Sequence, residues 1–95
     1  MSKKQSFLNI DFTKRFKESY ASYDRYDQVR IDHLVMAISK GAHTPGMRIK
    51  PLLPDKYHYE ARVNDADRLI FRIENESLIV TDVVPHDLIR KYGSR

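Results

Sequence analysis

Three residues interrupt the apolar runs of "DRLIFRIENESLIVTDVVPHDLIRKY", residues 67–92: Arg68, Arg72 and His86. A small sheet needs its apolar positions for burial, so cations and an imidazole among them call for a reason beyond packing. Just upstream, "YHYEARV" alternates His58, Glu60 and Arg62 against Tyr57, Tyr59, Ala61 and Val63. These residue types suit phosphate chemistry. A guanidinium is planar, permanently charged and able to bind two phosphate oxygens at once. Histidine exchanges a proton near neutral pH and serves as acid or base. Glu60 beside a phosphate repels it unless Arg62 or Arg72 neutralises it, or unless it acts as the base. A basic stretch upstream, with His43, Arg48, Lys50 and Lys56, adds further cations.

Each candidate also has a plainer reading. His86 can be a solvated strand-end histidine capping Asp87. Arg68 can pair with Asp65 or Asp67, an interaction worth little if exposed. Arg62 can pair with a carboxylate and hold neighbouring strands together. His33 falls on the polar side of a helix and His43 in a loop, where both read as solvated. The six tyrosines suit the edges of a core, apolar in body and polar at the tip. No glycine-rich phosphate loop, HExxH or Cys/His zinc spacing occurs, so neither a cofactor nor a metal is expected.

The elements that must position these residues are readable from periodicity. "SFLNIDF" alternates as a short strand, with Leu8, Ile10 and Phe12 on one side. A first helix starts near Asp11 or Thr13, its stripe being Phe12, Phe16, Tyr20 and Tyr23, and a break is expected at Tyr23 to Asp27. Val29, Ile31, Leu34, Val35 and Ile38 mark a second helix, closed by Lys40 and a glycine at 41. From Ala42 to Lys56, Pro45, Pro51 and Pro54 predict no continuous regular structure, only a basic flap. Three strands follow, near 57–63, 68–74 and 77–84, with polar turns at Asn64–Asp67 and Asn75–Ser77.

The expected fold is α+β: an N-terminal strand, a two-helix hairpin, then a three-stranded antiparallel meander, with both helices on one face of a small sheet. Register decides which side the cations take. Pairing 62 opposite 68 puts His58, Arg62, Arg68 and Arg72 on the face away from the helices; a one-residue slip buries Arg68 and Arg72 beneath them. The second arrangement is costly, which favours the first.

Ninety-five residues suit one domain spanning 1–95. The chain has no cysteine, which removes disulfides and thiolate metal sites and fits a reducing cytoplasm. No signal-peptide pattern or membrane-length apolar run is present. A net charge of +4 leans towards a polyanionic partner without selecting one.

The order of elements, "YHYEARVNDADRLIFRI" and the ending "VVPHDLIRKY" together resemble the RelE/ParE superfamily of toxin–antitoxin toxins. The likeness follows the whole order of elements, and its specific residues lie between 57 and 92: Arg62, Arg68 to Phe71, Pro85 and His86. It implies a cytoplasmic bacterial toxin neutralised by a cognate antitoxin, with no membrane or small-molecule partner. The RelE-like branch implies a metal-free endoribonuclease acting on mRNA at the ribosome, with His86 as acid or base and Arg68 on the scissile phosphate. His58 and Glu60 stand where many members carry lysines. That departure removes two cations and offers two further acid–base groups, with Arg62, Arg72, Lys50 and Lys56 left to bind phosphate. Tyr92 resembles the closing aromatic and suits stacking on a base. Two alternatives stay open: a ParE-like inhibitor of DNA gyrase, and an inactive relative that only binds antitoxin. Fold does not choose among them, so the site must.

Overall fold

The computed structural model describes residues 8–52 and 57–89. Strand β1 (Asn9–Phe12) ends at Thr13, whose hydroxyl accepts a hydrogen bond from the Phe16 N–H at 3.0 Å and donates to Thr81 O at 2.7 Å. One side chain thus caps helix α1 (Lys14–Ala21) and fastens its start to the sheet. Asp24 caps helix α2 (Arg25–Ser39) by accepting from the Asp27 N–H at 2.9 Å. The break between helices is therefore shorter than the sequence predicts, because the Asp24 cap draws Tyr26 and Asp27 into α2. Lys40 closes that helix, and Gly41 follows at φ 76, where glycine has no Cβ penalty. Ile31, Leu34, Val35 and Ile38 are buried as their spacing demands. In the first stripe Phe16 is buried, while Phe12 belongs to β1 and is 43% exposed.

The sheet has five strands in the order β1-β5-β4-β3-β2, one more than the sequence predicts. The addition is β2 (Lys50–Pro51), which lies antiparallel to β3 (Tyr59–Arg62) within the proline-rich flap. An edge strand of two residues tolerates Pro51 because it can do without an amide donor. A 3₁₀ turn, Pro45–Met47, precedes it. β4 (Asp67–Glu74) and β5 (Ser77–Pro85) form the long hairpin, with left-handed Asn75 in its turn at φ 56. β1 closes the far side, parallel to β5. Among the described residues no helix is long and apolar enough to cross a membrane.

Arg62 pairs directly opposite Arg68, the register that keeps Arg68 and Arg72 out from under the helices. The helix-covered face holds the main core, where Leu69, Phe71, Leu78, Val80 and Val83 meet the buried side of α2. On the opposite face Leu52, Ile70 and Val84 form a smaller cluster with Ile89 packed against it. A bulge separates the halves of the hairpin: Ile70 faces Asp82, but Phe71 faces Val80, leaving Thr81 as the extra residue. Val80 and Val83, three positions apart, consequently both enter the main core. Asp82 is re-aimed towards α1, accepting from Ser19 Oγ at 2.7 Å and the Val83 N–H at 2.8 Å, with Arg15 Nε 3.1 Å away.

Candidate active-site cleft

The turn between β3 and β4 is the mount of the site. Asn64 Oδ1 accepts from the Ala66 and Asp67 N–H groups at 2.8 and 2.7 Å, the Asx arrangement that tightens a turn. The helical layer braces it from behind: Tyr23 donates its hydroxyl to Asp67 Oδ1 at 2.9 Å, and Asn64 Nδ2 donates to Asp27 Oδ1 at 3.2 Å. Burial and the hydrogen bond to Asp67 push the Tyr23 phenol well above its ordinary range.

This turn fixes Arg68. Its Nη1 donates to the carbonyls of Asn64 at 2.7 Å, Asp67 at 3.0 Å and, more weakly, Asp65 at 3.4 Å. Its Nε lies 3.8 Å from Glu60 Oε1. Both side chains are largely buried, which strengthens their attraction relative to a surface pair. The same turn holds His86, whose N–H donates to Ala66 O at 2.6 Å just past the end of β5. The His86 ring is exposed and forms no hydrogen bond or ion pair among the described residues.

Beside the turn lies a cleft of about 340 Å³ lined by Arg48, Ile49, Lys50, Glu60, Arg68 and His86. Lys50 is the register partner of Glu60 across β2 and β3, and Ile70 is its partner on the other side. Glu60 is therefore buried between strands and still opens onto a cationic cleft. Arg48 sits at φ 49 and ψ 47, a left-handed conformation that costs a non-glycine residue about 1–2 kcal/mol.

Of the candidates read from the sequence, the cleft brings together His86, Arg68, Glu60 and Lys50. Arg62 and Arg72 share the face but stand elsewhere along it. Arg62 turns to Asp65 in an ion pair and lines a separate polar cleft with Tyr26, Arg30 and Asp67. Its hydrogen bond and charge, helped by Arg68 and Arg48, hold Asp65 below the usual carboxylate range. Arg72 is four residues beyond Arg68, about 13 Å along the strand, with Nη2 3.7 Å from Glu74 Oε1. His58 precedes β3, is half-buried and is not among the residues lining the cleft. Lys56 and Tyr92 lie outside the described residues. Arg48 is the cleft residue that the sequence reading leaves out of its site; the cation count of the flap was its signal, and only the β2 pairing shows which flap cations reach Glu60.

No protein-family model and no curated protein sequence matches the chain. Solved structures do. A chain of the E. coli DinJ–YafQ toxin–antitoxin complex superposes with a TM-score of 0.74 at 15% identity, over 87% of this chain and 94% of that one. The Agrobacterium tumefaciens YoeB/ParE toxin gives 0.72 at 16% identity, over 83% and 99%. The chain has the RelE/ParE toxin fold. A Staphylococcus aureus YoeB dimer extends the likeness, with a TM-score of 0.68, 21% identity and coverage of 81% and 94%. In this RelE/ParE fold the cleft occupies the end of the meander, where the β3–β4 turn, the end of β5 and the flap converge.

Proposed function

We propose that the chain is the toxin of a type II toxin–antitoxin pair and cuts mRNA as an endoribonuclease, working in the cytoplasm on messages at the ribosome. The observation that carries this reading is the convergence of His86, Glu60, Arg68 and Lys50 in one cleft. The reaction uses the RNA's own 2′-OH. Its proton passes to a base, O2′ bonds to the adjacent phosphorus, the P–O5′ bond breaks, and an acid protonates the departing 5′-oxygen. The products are a 2′,3′-cyclic phosphate and a 5′-hydroxyl. Glu60 supplies an acceptor-only carboxylate for the base role, and His86, at the open rim, supplies the acid. Arg68 and Lys50 stabilise the charge that grows on the phosphate, and Arg68 is already oriented by three carbonyls.

A second surface supports the antitoxin half of the reading, for which the DinJ–YafQ complex is the precedent. An apolar groove of about 470 Å³ runs between β1, α1 and α2, lined by Ile10, Phe12, Phe16, Val35 and Met36 among others. Phe12 and Met36 are 43% and 47% exposed, and β1 is an edge strand with one side unpaired among the described residues. An apolar groove beside an open strand edge suits a peptide chain that crosses the molecule.

The test is a cell-free translation reaction with purified protein and an end-labelled message, with parallel tubes lacking ribosomes or using His86→Ala. Discrete cuts are expected with ribosomes, and at least about 100-fold fewer with His86→Ala. The exposed ring makes the variant's stability loss at most about 0.5 kcal/mol, so thermal unfolding separates a chemical defect from a folding one. An intact message with undisturbed translation overturns the reading.

A further inference from the structure

The flap holds an arginine where its backbone favours glycine. Arg48 is left-handed at φ 49, whereas Gly46, two residues earlier, does not use a positive φ. Turn closure does not select arginine there, since the Arg48 N–H bond to Pro45 O at 3.1 Å is one that any residue with an amide can make. What distinguishes the residue is its side chain, which lines the cleft with Lys50, Glu60, Arg68 and His86. Arg68 is already engaged by three carbonyls and Glu60. Among the described residues, the head groups of Arg48 and Lys50 make no hydrogen bond or ion pair. Arg48 adds a longer-range attraction to exposed Asp65; a strained backbone carrying a cation with no direct partner into a cleft is the pattern of a residue kept for a ligand.

The geometry points to Arg48 as a phosphate-binding residue of this cleft, presented by the strained flap to the cleft that Arg68 also lines. This rests on the reading of the cleft as an RNA site. Charge favours a further cation. Arg48, Lys50 and Arg68 less Glu60 leave the cleft a net +2; without Arg48 it is +1. The added charge strengthens the hold on a phosphodiester in the ground state, and because Glu60 is neutralised as it takes the 2′-proton, the cations then face the dianion unopposed. Arg48 therefore serves binding above all, and shares the dianion with Lys50 and Arg68.

The test is binding of a fluorescein-labelled single-stranded RNA to the full chain, followed by anisotropy across a salt series, with Arg48→Gly, Arg48→Lys and Lys50→Ala alongside. Glycine fits the left-handed backbone, so Arg48→Gly is expected to unfold no more easily than the unchanged chain. Its slope of log affinity against log salt should be shallower by about 0.7, the loss of one phosphate contact, while Arg48→Lys keeps the slope. An unchanged slope in Arg48→Gly, with a shallower one in Lys50→Ala, overturns the assignment of Arg48 alone. Absence of RNA binding, or slopes indifferent to both flap cations, overturns the cleft as an RNA site and this inference with it. A lowered melting temperature with the slope intact makes Arg48 structural, and also overturns it.

Discussion

At the scale of single residues, Glu60 is the sharpest case, because a carboxylate is an odd neighbour for phosphate. Its place beside Arg68 admits two roles: a charge that orients the arginine, or the base that takes the 2′-proton. Glu60→Gln separates them. The amide is nearly isosteric and can still accept from Arg68, whose guanidinium also keeps its carbonyl partners. If Glu60 is the base, single-turnover cleavage should fall about 100-fold while RNA affinity holds or rises. Unchanged cleavage would place the base elsewhere. Asp65 gives a test that needs no substrate. Arg62 lowers its pKa below the ordinary 3.8, so the pair's stabilisation is present above that value and is lost as pH falls through the depressed one. An NMR titration of the Asp65 carboxyl should show the low pKa, and Arg62→Ala should move it back towards the ordinary one, since Arg62 is the largest cause of the shift.

At the scale of elements, two devices hold unlike parts of the fold together. One is the β3–β4 turn, tied to α2 by Asn64 and to Tyr23 through Asp67. The Tyr23 pKa is raised, so its bond to Asp67 stabilises fully below the ordinary phenol range and is lost only as pH climbs through the raised value. The other is the bulge in β5, which turns Asp82 to α1. Asp82 is 2% exposed and accepts from both Ser19 and the backbone of Val83. Asp82→Ala leaves buried donors unmatched and should cost about 2 kcal/mol in chemical denaturation. Denaturation midpoints equal to those of the unchanged chain would show that Asp82 adds nothing to the hold on α1. Helical and strand periodicities announce most of these elements. The bulge and β2 are not announced, because a two-residue edge strand has no period to read and a bulge is defined by the partner strand.

At the scale of the whole molecule, the proposed function assigns the two surfaces different tasks. The cationic cleft stands at the end of the meander and the apolar groove among β1, α1 and α2, so the proposed neutralisation and cutting are open to separate mutation. Met36→Glu places a charge in the groove at an exposed position. It should weaken capture of the antitoxin by at least tenfold, about 1.4 kcal/mol, without changing mRNA cleavage by the free chain. Co-purification and titration with the antitoxin check the first part and the cleavage assay checks the second. Antitoxin affinity equal to that of the unchanged chain would remove the groove from the interface.

The sequence alone settles the α+β layout, the apolar stripe of α2 and its glycine end, because these follow from local spacing and backbone preference. It also narrows the register, since the alternative buries Arg68 and Arg72. What it leaves open is position along a face. Period-two alternation says that His58, Glu60, Arg62, Arg68 and Arg72 look the same way, but not which of them meet. Only the tertiary structure brings the flap's Arg48 and Lys50 to Glu60, ties His86 to the turn that holds Arg68, and leaves Arg72 and His58 outside the cleft. Contacts between segments far apart in sequence are made by packing and strand pairing, and no local pattern encodes their distances.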